Sequence, residues 1–391
     1  ETLVILAMAG AQAFGYAFPI SLIITVLLAI VTISYQQTIH AYPSGGGAYT
    51  VVKENLGITS ALVAGSALLL DYILLAAVAI SSGVAQIVSA APALYPYRVA
   101  LSVGLLVLIA IANLRGVKES GNTFAAPTYF FLGMTALTVA VGFYKYLTGS
   151  LGMVVDPPHM ETLHTEPITL FLLLRAFSNG TTALTGVECI SNGVKSFKEP
   201  RAKNAAVTMV WMASILGILF VGIVYLLGVI GAVPAESETV ISQLARTAFG
   251  NRGLLYLGTI LATTIILVLA TNTAFAGFPS LTAVIATDGF MPRQLAYRGS
   301  RLVFSRGIVS LAAIAAFLII IFNASVTALI PLWAVGVFLS FTLSQLGMAR
   351  HWWRAGVHKD EKLLEAGNQG WQWKLVVTGF GAVCTALVTL I

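Results

Sequence analysis

No charged side chain occurs between Arg252 and Asp288, between Lys203 and Glu236, or between Asp71 and Arg98. Each gap exceeds the ~20 residues that an α-helix needs to cross the hydrocarbon core of a bilayer. A soluble domain is about 25% charged, whereas this chain is 9% charged and 58% hydrophobic. Its surface could not be covered for water, which excludes a large soluble helical core. Membrane spans are expected at 2–12, 18–40, 58–91, 98–114, 125–147, 167–194, 205–232, 254–286, 307–322, 327–347 and 373–391. The first reads as the end of a helix only, which leaves ten full or nearly full spans. Spans 58–91 and 254–286 are long enough to tilt or to run beyond the bilayer.

Basic residues fix the orientation. One set of alternating loops carries Lys53; Arg115 and Lys118; Lys195, Lys198, Arg201 and Lys203; Arg293, Arg298, Arg301 and Arg306; and Arg350, Arg354, Lys359, Lys362 and Lys374. The opposite loops hold only Arg98, Lys145, Arg246 and Arg252. Sixteen of the 21 Lys and Arg thus lie on one side, and that side is the cytoplasm. The outer loop 233–253 has helical spacing of apolar residues and is expected to lie at the interface as a short amphipathic helix.

The same placement explains the net charge of +6 and excludes a nucleic-acid partner. Cys189 and Cys384 both fall in apolar spans and point to neither disulfide nor metal. His159 and His164 share an outer loop with Asp156 and Glu161, a solvated arrangement and not a metal site, so no metal is expected. Neither H-E-x-x-H nor G-x-S-x-G is present, and no tandem filter loop suggests a channel. The chain is therefore not read as an enzyme. It opens inside an apolar run, as a fragment would.

The segment 178–193, "SNGTTALTGVECISNG", interrupts this pattern. Glycine costs about 1 kcal/mol in a helix interior, and Ser and Thr compete for backbone hydrogen bonds. The spacing predicts a helix broken near Gly180 to Gly186. Unwound backbone at membrane depth survives only when buried in protein or lining a cavity, and secondary transporters place their binding sites at such breaks. A tight helix-packing interface built on small residues is the alternative. Glu188 adds weight to the first reading, because an ionisable group at the centre of a membrane helix costs at least ~2.5 kcal/mol unless paired or neutral. Burial favours the neutral carboxyl, which suits a proton carrier; pairing with Lys195 near the cytoplasmic end is the alternative. Asp71, about fourteen residues into span 58–91, is too deep to snorkel and must pair or titrate. Arg175 also lies within a span, nearer its outer edge, where its side chain can reach the interface.

Three further stretches carry information. "YPSGGGAYTVVKENLG", 42–57, reads as a sharp turn at Gly45 to Gly47 leading to a short amphipathic helix, with no phosphate-loop spacing. "LATNTAFAGFP", 269–279, puts Thr271, Asn272 and Thr273 inside a span, so at least one must face a cavity or hydrogen-bond another helix. Pro331 and Gly336 predict a bent helix, with Trp333 a candidate for the cavity wall.

"YPSGGGAYTVVKENLG", "LDYIL", "ANLRGVKES", "ALTGVECISNGVKSFKEPRAKNAA" and "IPLWAVGVFLSFTLSQLGM" resemble the amino acid-polyamine-organocation superfamily, and within it the KimA-type potassium importers. The resemblance implies an all-α polytopic fold of the LeuT-like five-plus-five inverted-repeat kind. The first repeat would cover about 1–147 and the second about 167–347, followed by the start of an eleventh helix at 373–391. Helices one and six would be discontinuous, and both ends of the fold would be truncated. By this resemblance Thr185 matches a cation-ligand threonine, Glu188 the acid of helix six assigned to proton coupling, and Asp71 the acid of helix three. Leu75 and Ala79 stand where those importers place a hydroxyl, and Trp333 replaces a tyrosine. These three offer a bare potassium ion no oxygen.

The expectation is a multi-pass secondary transporter of the cytoplasmic membrane that imports a small solute, with the proton gradient as driving force and no other cofactor. Glu188 and Asp71 would carry the proton. Thr181, Thr185, Gly186, Trp333, Leu75 and Ala79 would touch the solute. An amino acid is the first reading and proton-coupled potassium uptake the alternative. The lipid bilayer and the solute are the expected partners, with a homodimer compatible with the class.

Overall fold

The structure is a computed structural model that describes the chain apart from residues 1, 10, 44–46, 117–120, 159–166, 298–303 and 358–369. His159, Glu161 and His164, and Gly45 and Gly46 of the expected turn, lie outside the described residues. The described residues form helices and no strand. In chain order these are α1 (Thr2–Ala7), α2 (Ala17–Ala41), α3 (Ala48–Leu56), α4 (Ile58–Ala90), α5 (Arg98–Leu114), α6 (Gly121–Leu147), α7 (Leu170–Gly180), α8 (Val187–Asn192), α9 (Arg201–Ile230), α10 (Val240–Phe249), α11 (Leu254–Thr287), α12 (Ser305–Ile321), α13 (Val326–Val357) and α14 (Trp371–Leu390).

Eight of the described helical stretches are long and apolar enough to cross a membrane. The shorter apolar α12 and the broken pair α7 and α8 complete the ten expected spans. Their faces invert the arrangement of a soluble protein. Val26, Leu108, Ile218 and Leu254 are exposed, whereas Asp71, Glu188, Gln345 and Thr271 are buried. An apolar outer face loses nothing against acyl chains, and polar groups must find partners inside. The hydroxyls of Thr25, Thr32, Thr138 and Thr342 do so by donating to the carbonyl one turn back, which lets Ser and Thr populate apolar helices.

The chain divides into two compact units. One comprises residues 1–18, 72–176 and 219–332, and the other 19–71, 177–218 and 333–391. In the first, α11 packs on α6, α12, α10 and α5, and α12 packs on α5. Gly277 lets α11 approach the Tyr72 ring so closely that a Cβ there would overlap Cζ. The polar run 271–273 serves helix packing: Asn113 of α5 donates to Asn272 Oδ1 at 2.6 Å. Helix α10 exists as expected, but it does not lie on a surface. Thr239 caps it by accepting from the Ser242 amide, and Ser242 and Gln243 are fully buried. Gln243 binds both the amide and the carbonyl of Val233. Its polar residues are there to meet protein, a distinction that helical spacing cannot make.

In the second unit, Val51 of α3 joins Met348, Trp352 and Ala355 of α13 in a buried cluster, with Ala41, Tyr42 and Leu375 packed against it. Asn55 donates to the Tyr42 hydroxyl and to the Val51 carbonyl, both at 2.8 Å. Ser178 donates to the Val388 carbonyl, which ties the end of α7 to α14. Gly47, just before α3, lies against Asn192 at the end of α8. The interrupted segment is thus held at one end by α14 and at the other by the start of α3.

Candidate functional site

Helix α7 ends at Gly180, and a single 3-10 turn follows over Thr181–Leu184. Thr185 is then extended (φ −62°, ψ 146°), and Gly186 is left-handed (φ 98°) before α8 begins at Val187. A side chain with a Cβ rarely adopts that φ, so glycine is the residue this reversal requires. The hydroxyls of Thr181, Thr182 and Thr185 donate to the carbonyls of Ser178, Asn179 and Thr182. They hold the turn tight while their oxygen lone pairs remain available as acceptors. The break falls where 178–193 predicted it.

Glu188 sits in the first turn of α8, 4% exposed. Its carboxylate accepts from the Gly186 amide at 3.1 and 3.3 Å. Gly186 N–H has no carbonyl one turn back to bond, and the acid two residues on replaces it. Acid and break therefore form one device. Lys195 is exposed at a 3-10 turn after α8, and among the described residues no cation pairs with Glu188. The alternative of a Glu188–Lys195 pair is not what the structure contains.

Asp71 of α4 is 2% exposed, and its Oδ1 accepts a hydrogen bond of 2.6 Å from the indole Nε1–H of Trp333 on α13. Gly336, one turn further on, brings α13 close to the Ala67 carbonyl and the Asp71 amide. The two helices can approach because no side chain separates them there. Asp71 and Glu188 lie within electrostatic reach of each other, and both act on Tyr35 of α2. The Tyr35 hydroxyl faces Ser344 of α13 without forming a hydrogen bond, and the Gln345 amide is also buried without a partner among the described residues. The Tyr35 ring is held edge-on to Phe341 at 5.5 Å.

Of the expected residues, the structure gathers Asp71, Trp333, Glu188, Gly186, Thr181 and Thr185 into the second compact unit. Thr181 is buried and Thr185 half-buried. Leu75 and Ala79 lie further along α4 within the other unit, Leu75 half-buried and Ala79 buried. The Trp333 N–H holds the acid of α4, a role that the expectation of a cavity wall did not include. Tyr35, Ser344 and Gln345 were missed. They stand in "TISYQQTIH", 32–40 at the end of an apolar span, and in the Ser-Gln pair within "FTLSQLG", where the polar residues alone do not mark a site.

The family model for amino acid permeases matches residues 2–391. The chain belongs to the amino acid permease family. It is a multi-pass membrane protein of that family. It is 45% identical over 390 residues to the potassium transporter KimA of Bacillus subtilis (strain 168), a match that covers 99% of this chain and 62% of the relative. The chain thus spans less than two thirds of the length of that relative. In fold it resembles the crystal structure of the Eremococcus coleocola manganese transporter in complex with an aromatic bis-isothiourea substituted compound. That similarity has a TM-score of 0.51 at 13% identity and covers 100% of this chain and 84% of the other. The fold is that of an APC-type, LeuT-like transporter.

Proposed function

We propose that the chain works as a secondary carrier that takes up potassium together with protons by alternating access, within an inverted-repeat arrangement. The observation that carries the reading is the pair Asp71 and Glu188. They are two buried acids within electrostatic reach of each other, and neither has a cationic side-chain partner among the described residues. Two carboxylates in a low-dielectric site repel each other, and a bound cation or proton relieves the repulsion. An amino acid would bring a third carboxylate to the same place. Asp71 is held by the Trp333 indole on a neighbouring helix, whereas Glu188 stands at the break itself, and on this reading Glu188 is the group that exchanges a proton. Thr185, with its carbonyl free of any main-chain amide among the described residues and its hydroxyl oxygen still able to accept, supplies hard oxygen ligands. Thr181 and Gly186 fix the turn that presents them. Leu75 and Ala79 add no oxygen, so the ligands on this reading come from the broken segment and the acids.

The test is uptake by proteoliposomes that contain the purified chain. Saturable uptake of labelled rubidium, accelerated by an inwardly directed proton gradient, is the expected result. Uptake of labelled amino acids without rubidium would overturn the potassium reading and leave a carrier of another solute.

A further inference from the structure

A groove of about 350 Å³ opens on the outside of the second unit, between the end of α2 and the first turns of α9. We propose that this groove holds the headgroup of an anionic phospholipid of the cytoplasmic leaflet. It has two chemically distinct ends. At one end stand His40 and Lys203; at the other, Val207, Val210 and Trp211 form an apolar wall. Trp211 is 67% exposed. Gln36 makes the floor, its amide donating to the Ala206 carbonyl at 3.3 Å, which fixes α2 against α9 beneath the opening.

The basic end is available. Lys203 has no acidic partner among the described residues, whereas neighbouring Arg201 is paired with Glu199 at 3.1 Å. A carbonyl can only accept, so the 2.8 Å contact between His40 Nδ1 and the Gln36 carbonyl places a proton on Nδ1 and ties the ring to its own helix beside Lys203. The first turn of α9 contains no acid and instead carries Arg201 and Lys203 at the positive end of the helix dipole, where an anion would be favoured and a cation is not.

Position matches chemistry. The charge bias puts this end of both helices at the cytoplasmic face, where anionic lipids are found and where basic pockets between membrane helices take their headgroups. Eight residues separate Lys203 from Trp211, about 12 Å along a helix. That spacing sets the ammonium at phosphate depth and the indole among the upper acyl carbons. A second copy of the chain fits less well, because a twofold contact centred here would bring Lys203 against its own copy.

The experiment uses the purified chain in nanodiscs of phosphatidylcholine, with phosphatidylglycerol carrying dibrominated acyl chains added as the probe. Quenching of Trp211 fluorescence, identified by its loss in Trp211→Phe, should exceed that given by brominated phosphatidylcholine. Lys203→Gln should weaken the phosphatidylglycerol effect about fivefold, while Lys198→Gln, outside the groove, should leave it unchanged. Equal quenching by the two lipids, an unchanged effect in Lys203→Gln, or full displacement by millimolar inorganic phosphate would overturn the proposal. So would a Trp211-to-Trp211 contact between copies. The readout does not involve transport, so it stands or falls separately from the cargo.

Discussion

At the residue scale, two acids with different partners make different predictions. Glu188 accepts from the Gly186 amide, and a glutamine oxygen can accept the same bond. Glu188→Gln should therefore fold normally, lose gradient-driven uptake and keep cargo exchange; full coupled uptake in this variant would remove the proton role. Asp71 depends on the Trp333 indole. Trp333→Phe leaves that buried carboxylate without its donor and should cost about 1–3 kcal/mol, read as a lower melting temperature in detergent. Adding Asp71→Asn should recover part of the loss. A non-additive cycle is the signature of the bond, and strict additivity would deny it. Both acids were legible in the sequence because charge is so rare in it. Tyr35 was not, since a tyrosine near a span end reads equally well as an interfacial anchor.

At the element scale, the broken helix was legible and the packing of α10 was not. Glycines and threonines between 180 and 186 raise the local cost of helix whatever surrounds them, so composition alone located the break. Gly186→Ala should cost about 1–2 kcal/mol through its left-handed φ, with open space around the added Cβ. The penalty is then conformational and not steric. A melting temperature equal to that of the parent would show that the reversal is absent. For α10 the apolar stripe was real, but its depth depended on what covered the opposite face. Ser242 bonds Glu238 and Tyr256, and Glu238 also pairs with Arg246 at 2.9 Å. The Ser242–Tyr256 and Glu238–Arg246 contacts link residues that sequence spacing does not associate.

At the scale of the whole molecule, the bilayer as solvent made most of the architecture readable. Helix length, loop charge and the exclusion of unpaired backbone leave few arrangements for ten apolar spans. The orientation is checked by site-directed labelling. With Cys189 and Cys384 replaced by serine, Lys198→Cys should react with a membrane-impermeant maleimide only from the cytoplasmic side, and Asn251→Cys only from outside. The reverse pattern would invert the topology. What the sequence left open was the cargo, because selectivity resides in ligand positions set by a few main-chain angles. The hydrogen bond from Gly186 to Glu188 gives those angles a chemical dependence. The carboxylate that would exchange a proton also ties down the bend in its own helix, so titrating it weakens the grip on that bend. Energy taken from a proton would then reach the cargo through the shape of one short stretch of peptide, with no relay of side chains in between.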